Sequence, residues 1–199
     1  MCAEEVGTGR MLKRLTDACE LTLDKNTAHR RLSLSEGNRK VTRVGEDQPY
    51  PDHPERFDIE GQVLCREGLT GRCYWEVEWE KPLYIGVICK GISRGYSDAS
   101  ALGHNNESWT VYCHDGGYTA RYNRMRTITP LSLAGSNRVG VYLDRPAGTL
   151  SFYRVSPDVG GSSDTLTHIH TFQASFTQVD LLPAFRLWMN GSSVSLYRL

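Results

Sequence analysis

Cys73-Tyr74-Trp75-Glu76-Val77-Glu78-Trp79 is the stretch whose reading decides the fold, being the densest strict alternation in the chain and holding two of its four tryptophans. Side chains of an extended strand alternate between faces, so Trp75, Val77 and Trp79 share one side and Tyr74, Glu76 and Glu78 the other. Three large apolar residues on one face predict a strand inside a two-sheet interior. The second face is expected to be wet or used for recognition.

Further strands gather on both sides of it. Leu21 and Leu23 open an alternating run, Asp24-Lys25-Asn26-Thr27 reads as a turn, and Leu32-Ser33-Leu34 with Val41-Thr42-Arg43-Val44 flank a hairpin signal at Glu36-Gly37-Asn38. Gly45 to Arg56 carries Pro49, Pro51 and Pro54 and reads as a long loop, since proline lacks the N–H that a central strand donates. Val63-Leu64-Cys65 leads into the organising strand, and Lys81-Pro82 is read as turning that strand into a hairpin with Leu83 to Cys89. Lys90 to Glu107 has no sustained period and reads as a second long loop. Ser108 to His114 resumes the alternation, with Trp109, Val111 and Cys113 on one face and Thr110, Tyr112 and His114 on the other. Asp115-Gly116-Gly117 then turns the chain back into Tyr118 to Tyr122.

Arg138 to Leu143 and Thr149 to Val155 bracket a turn, Ser156 to Asp164 is a Gly/Ser-rich insertion, and His168 to Phe172, Leu181 to Leu187 and Val194 to Tyr197 are the closing strands. About a dozen strands and no long helix predict an all-β fold, a two-sheet antiparallel β-sandwich. A short helical lead-in over residues 1–17, around Met11, Leu12 and Leu15, is expected before it.

Composition bounds the function. The 199 residues fit one domain, and 23 basic side chains cancel 23 acidic ones, so no net field draws in nucleic acid or an anionic membrane. No membrane span and no apolar leader run is read. Cys2, Cys19, Cys65, Cys73, Cys89 and Cys113 form no C-x-x-C pair, and most are expected to be small core hydrophobes in a reducing, cytoplasmic compartment.

Three ordered motifs resemble a known family. Leu21-Thr22-Leu23-Asp24 with Asn26-Thr27-Ala28-His29 looks like the opening PRY motif, with Lys25 where proline is usual. Trp75-Glu76-Val77-Glu78 looks like the central signature, and Leu143-Asp144 with Gly148-Thr149-Leu150-Ser151-Phe152-Tyr153 resembles the third. The family is the PRY-SPRY domain of tripartite-motif ubiquitin ligases, butyrophilins, fish NOD-like receptors and stonefish-type toxins. The resemblance spans Cys19 to Tyr197, with a PRY part over about 18–68 and a SPRY part over about 69–199. Arg145-Pro146 departs from the pattern, standing where an aromatic and an acidic residue are common. The resemblance implies a bent β-sandwich whose loops gather on one face to bind a target protein, with no chemistry of its own.

The residues agree with a domain that lacks a nucleophile. Glu76 and Glu78 lie two apart on one strand, rising about 6.6 Å and pointing the same way, whereas glycoside chemistry needs carboxyls on opposite sides of a bond. His168 and His170 have no third and fourth ligand, so no metal or other cofactor is expected. No phosphate loop and no G-x-S-x-G elbow occurs. Tyr112 and His114 are either packed beneath a loop or laid open at an interface, where tyrosine is enriched.

Around them the expected partner-binding residues are Tyr50 and His53 from the first loop, Arg94 and Tyr96 from the second, Tyr118, Arg186 and Trp188. One of Phe185 and Trp188 is core and the other a rim residue. The reading is a monomeric recognition domain, in a parent free to oligomerise, that selects a target protein for an innate-immune or ubiquitin-ligase machine. Alternatives are a sensor for a small anionic ligand held by Arg94, His114, Arg121 and Arg186, and the terminal module of a pore-forming toxin.

Overall fold

Residues 14, 16–95, 98–158, 160, 163–177 and 179–199 are described by a computed structural model of the chain. The first seven strands are β1 (Leu32–Ser35), β2 (Lys40–Arg43), β3 (Gln62–Leu64), β4 (Arg72–Glu80), β5 (Leu83–Cys89), β6 (Ser108–His114) and β7 (Gly117–Tyr122). They continue as β8 (Met125–Thr129), β9 (Arg138–Asp144), β10 (Thr149–Ser156), β11 (Thr165–Gln173), β12 (Leu181–Arg186) and β13 (Ser193–Leu196). A seven-stranded sheet runs β1-β2-β13-β4-β9-β10-β11, and a six-stranded sheet runs β3-β12-β5-β6-β7-β8. All the strand pairs are antiparallel, as the sequence predicts.

The alternating apolar faces meet between the sheets. Trp75, Val77 and Trp79 of β4, with Val139, Val141 and Leu143 of β9, pack against a core that Ile85, Val87, Val111, Cys113 and Phe185 complete from the other sheet. The expected hairpin of the organising strand with Leu83 to Cys89 is overturned. β4 pairs with β9 and β13 while β5 pairs with β6 and β12, so the chain changes sheets across Lys81, whose φ is 59°. Alternation reports which face of a strand is buried but not which sheet it joins. Leu21 and Leu23 are buried without forming a strand, because the Leu23 amide donates to Asn38 O and the Asp24 amide to Leu64 O, on different neighbours. β8 lies where the sequence reading had assigned no strand.

The second face of β4 is not wet. Tyr74 and Glu76 are buried, and the Tyr74 hydroxyl donates to Glu76 Oε1 at 2.7 Å. Gly140 makes room for that phenol, since a Cβ there would fall 2.4 Å from the Tyr74 oxygen. Arg14 reaches Glu76 at 2.6 Å and Asp164 at 2.6 Å, and Arg138 reaches the same two carboxylates at 3.4 and 3.1 Å. This cluster ties the end of the lead-in to the sheet. Met11, Leu12 and Leu15 lie outside the described residues, while Arg14 and Thr16 are helical.

Cysteine behaviour also differs from expectation. Cys65 and Cys113 are buried free thiols and Cys89 is a partly buried one, but Cys19 and Cys73 form a disulfide. The bridge between Ala18 and Tyr74 sets their neighbours' Cα atoms 5.6 Å apart, within disulfide reach. Arg145, at the departure from the family pattern, braces its turn by donating to the carbonyls of Leu69, Phe176 and Val179.

Removing the carboxylate of Glu76 leaves Arg14 only Asp164, and leaves Arg138 Asp164 and the longer contact to Glu78 at 3.8 Å. Glu76→Ala is therefore expected to lower stability by about 3 kcal/mol, read as a lower urea midpoint at unchanged slope, with Glu76→Gln losing less. His29 is pushed below the ordinary imidazole pKa by burial and then by Arg43, and His170 by burial and then by His168. The fold thus favours the neutral rings while the unfolded chain takes up protons. Stability is expected to be full above about pH 6.5 and to fall as pH drops through that value toward the depressed folded values. Melting temperatures across that window should flatten in a His29→Gln/His170→Gln double variant.

Candidate functional site

The outer face of the six-stranded sheet is built row by row from strand register. One row runs Gln62, Arg186, Tyr84, Tyr112, Thr119, Ile128, and the next runs Leu64, Ala184, Gly86, Thr110, Arg121, Arg126. Half of this face is sealed. Phe57, Ile92 and Leu102 from the two long loops close over Leu64, Ile88, Leu182 and Ala184. Gln62 clamps the second loop from below, donating from Nε2 to Ser100 O at 2.9 Å and accepting the Leu102 amide at 2.8 Å. Gly103 marks where the cover ends. Its φ is +80°, and a Cβ there would lie 2.8 Å from the Arg121 side chain.

The other half is aromatic and partly open: Tyr84 is buried at its margin with the sealed half, while Tyr112 and His114 are partly exposed. Tyr84 stacks on Tyr112 at 4.7 Å between centroids, and Tyr112 stacks on His114 at 5.0 Å. Arg121 lies over both tyrosines, 5.4 Å from the Tyr84 ring and 5.5 Å from the Tyr112 ring, and Arg186 lies 5.1 Å over Tyr84. Each such cation over an aromatic face contributes about 0.5–2 kcal/mol depending on how dry it is. The Gly116 amide donates to His114 Nδ1 at 3.2 Å, so Nε2 is the proton-bearing nitrogen, 3.3 Å from the Thr119 hydroxyl. Burial and then the neighbouring Tyr84 raise the Tyr112 pKa, so its phenol stays protonated at neutral pH.

The structure brings together part of the predicted set. Tyr112 and His114 are partly exposed on this face and Arg186 lies on the Tyr112 row, over Tyr84, while Trp188, two residues past the end of β12, is 49% exposed and Phe185 is core. Others fall elsewhere. Tyr50 is buried, its hydroxyl donating to Leu32 O at 2.6 Å and its ring lying beneath Lys25 and Arg56. Tyr118 is 1% exposed and belongs to the inner core, because it pairs with Cys113 rather than with Tyr112. Both were chosen for residue type and proximity to loops, and tyrosine serves a core as readily as an interface.

His53 sits in a separate concavity with Arg30, Asp52 and Asp58. Arg94 is spent on structure, bonding Glu55 at 2.9 Å and the Ile92 carbonyl at 2.8 Å with its guanidinium over Phe57. Tyr96 lies outside the described residues. Sequence reasoning missed Tyr84, Arg126 and Ile128; the two-residue turn Asn123-Arg124 followed by Thr127-Ile128-Thr129 was the available signal for the last two.

The anion-binding set does not assemble as a basic pocket. Arg186 is paired with Glu60 at 2.7 Å and Arg94 with Glu55, so that of the three arginines in this set Arg121 alone lacks a carboxylate partner among the described residues. No group of three or more His, Cys, Asp or Glu able to hold a metal occurs among the described residues. No helix among them is long and apolar enough to cross a membrane.

Tyr118 offers a direct check on the division of faces. Its buried hydroxyl has no partner among the described residues. Tyr118→Phe is expected to leave the melting temperature unchanged or raise it, worth up to about 1 kcal/mol, whereas Tyr118→Ala should cost about 3–5 kcal/mol. A mild effect of the alanine variant on thermal unfolding would move Tyr118 back to the surface.

Known proteins resemble the chain over this whole architecture. Residues 21–69 match the SPRY-associated domain family, PRY, and residues 72–198 match the SPRY domain family. The chain is 45% identical over 169 residues to stonustoxin subunit beta of Synanceia horrida, covering 84% of this chain and 23% of that protein. It is 40% identical over 165 residues to tripartite motif-containing protein 16 of Mus musculus, covering 81% of this chain and 28% of that one. It thus spans about a quarter of the length of these curated relatives. Among solved structures, stonustoxin superposes with a TM-score of 0.82 at 38% identity over 91% of this chain and 29% of that chain. The TRIM65 PSpry domain gives 0.81 at 25% identity over 96% and 95%. Two antiparallel sheets in this order, with both family matches in sequence, place the chain in the SPRY domain family, in the form that carries the PRY segment.

Proposed function

We propose that the open half of the outer face, centred on Tyr112 and His114 and rimmed by Trp188, grips a target protein. SPRY membership supports a protein-interaction module in general terms. The observation that carries the finer reading is a sheet face sealed on one half and left partly open on the other, where Tyr112 stacks on Tyr84 and His114 and two arginines lie over the rings. Trp, Tyr and Arg are the residue types that dominate binding energy at protein interfaces.

In this reading the domain contributes recognition and no reaction. It selects the target for a larger cytoplasmic protein of the tripartite-motif or related innate-immune kind, and any ubiquitin transfer resides in other parts of that protein. Forty per cent identity to a mouse tripartite-motif protein and the free thiols of Cys65, Cys89 and Cys113 support this parent.

Two observations favour a second parent, a secreted toxin subunit: the disulfide between Cys19 and Cys73 and the 45% identity to stonustoxin subunit beta. Lysis of red cells by the full-length parent, set against ubiquitin transfer by the same protein, separates the two. A small anionic ligand is less well supported, because Glu60 and Glu55 already neutralise two of the arginines it would need.

The test is affinity capture with the wild-type domain, identification of the retained protein by mass spectrometry, and titration of that partner against variants. Trp188→Ala is expected to weaken binding by about 30-fold or more while leaving the melting temperature unchanged. Tyr112→Ala should do the same with a modest loss of stability, since its ring also packs on Tyr84. Undiminished affinity in both variants would overturn the assignment of this face.

A further inference from the structure

The six-stranded sheet ends at β8, whose outer edge pairs with no strand among the described residues. The turn before it has Asn123 at φ 48° and Arg124 at φ 65°, both left-handed, as a two-residue hairpin loop requires. Such a loop is closed by a hydrogen-bonded pair, here Tyr122 and Met125, and in an antiparallel ladder bonded pairs alternate with non-bonded ones. Met125, Thr127 and Thr129 therefore spend their backbone groups on β7. Arg126 and Ile128 turn their N–H and C=O groups outward, and neither takes a backbone partner among the described residues.

Natural edges are guarded by lysine, proline, bulges or a covering segment. β8 has no proline and no lysine, and it leaves Met125 74% and Ile128 75% exposed. Arg126 and Ile128 share the face of Arg121 and Tyr112, so the recognition surface runs without a break onto this edge. Arg126 has no ion pair among the described residues.

We propose that β8 takes up an extended acidic segment of the partner protein as a seventh strand. The proposal rests on the reading of the outer face as a recognition surface. In the added strand, the residue opposite Arg126 is Asp or Glu and the residue opposite Ile128 is apolar, an acidic-x-apolar spacing that places both side chains on the face shared with Tyr112. A second copy of this chain is a poorer occupant. Antiparallel pairing of two β8 strands through their outward positions sets Arg126 opposite Arg126, which is repulsive, or opposite Ile128, and neither register supplies a carboxylate to Arg126. The reach of the added strand is limited at one end, where Thr129 Oγ1 donates to Ile169 O of β11 at 3.2 Å.

The test titrates isotope-labelled domain with the synthetic peptide Ac-Thr-Val-Thr-Glu-Thr-Val-Thr-NH2, in which an apolar residue stands two positions from the acidic one in either strand direction, and follows amide exchange by NMR. The amides of Arg126 and Ile128 are expected to slow by about tenfold or more on binding, while that of Thr127, already bonded to β7, is unchanged. Arg126→Glu should abolish binding of this peptide and create binding of the lysine counterpart Ac-Thr-Val-Thr-Lys-Thr-Val-Thr-NH2. Ile128→Pro, which removes one outward N–H at an edge position where proline is tolerated, should also abolish it. If that variant fails to fold, the charge reversal and the exchange pattern still decide.

Shifts confined to Tyr112, His114 and Trp188, with the β8 amides unprotected, would leave the recognition face standing and overturn the edge. No shift at millimolar peptide would overturn the edge as well. Sedimentation of the free domain as a dimer, lost in Arg126→Glu or Ile128→Pro, would overturn it in favour of a second copy.

Discussion

A β-sheet that packs on one side must dispose of its other side, and this constraint governs the six-stranded sheet. Its inner face is consumed by the core shared with the seven-stranded sheet, where Ile85, Val87, Val111, Cys113 and Phe185 meet Trp75, Val77 and Trp79. Its outer face carries a second, smaller apolar set that needs a cover, and the two long loops supply it through Phe57, Ile92 and Leu102. The cover stops at Gly103 because Arg121 and Thr110 stand directly beneath. What lies beyond is a rigid, partly apolar shelf whose floor is strand and whose wall is loop. A binding surface needs little more than this, because side chains held by a packed sheet lose little freedom when a partner arrives.

Electrostatics follow the same economy. Opposite charges cancel over the whole chain, and most of the arginines near functional surfaces are committed inside the domain. Arg14 and Arg138 hold the lead-in and the segment at Asp164 to the buried carboxylate of Glu76, Arg94 fastens one long loop to the other through Glu55, and Arg186 is fixed by Glu60. Pairs of this kind define geometry more than they add stability, since desolvation offsets much of the attraction. Arg121 and Arg126 differ in lacking such a carboxylate, and they lie side by side on the face that also carries the open aromatics. Local charge on a neutral protein steers and selects partners without the indiscriminate attraction of a basic domain.

The relatives place this architecture in two settings, a fish toxin subunit and a mammalian tripartite-motif protein, of which the match covers 23% and 28%. One scaffold serving such different parents fits a division of labour in which the sandwich binds and the remainder of each parent acts. Fold alone does not choose between parents, because one fold serves many functions.

Period-two alternation was enough to place β4, β6 and the β9–β10 hairpin and to name Trp75, Val77, Trp79, Trp109, Val111 and Cys113 as interior, since a strand has only two faces and one must be dry. The same rule misjudged Tyr74 and Glu76, which are buried because Arg14, Arg138 and Asp164 arrive from distant parts of the chain. It also joined β4 to β5 in one hairpin, whereas they belong to different sheets. Tyr50 and Tyr118 were read as contacts and are core; Tyr84 and Ile128 were passed over and lie on the cross-strand row that holds Tyr112. By itself, then, the sequence determined the class of fold, the interior of most strands and the absence of a net charge, all of which are local or additive properties. Which residues share the open face was decided only by tertiary structure, because cross-strand register and loop cover join positions far apart in the chain, and no local pattern encodes that neighbourhood.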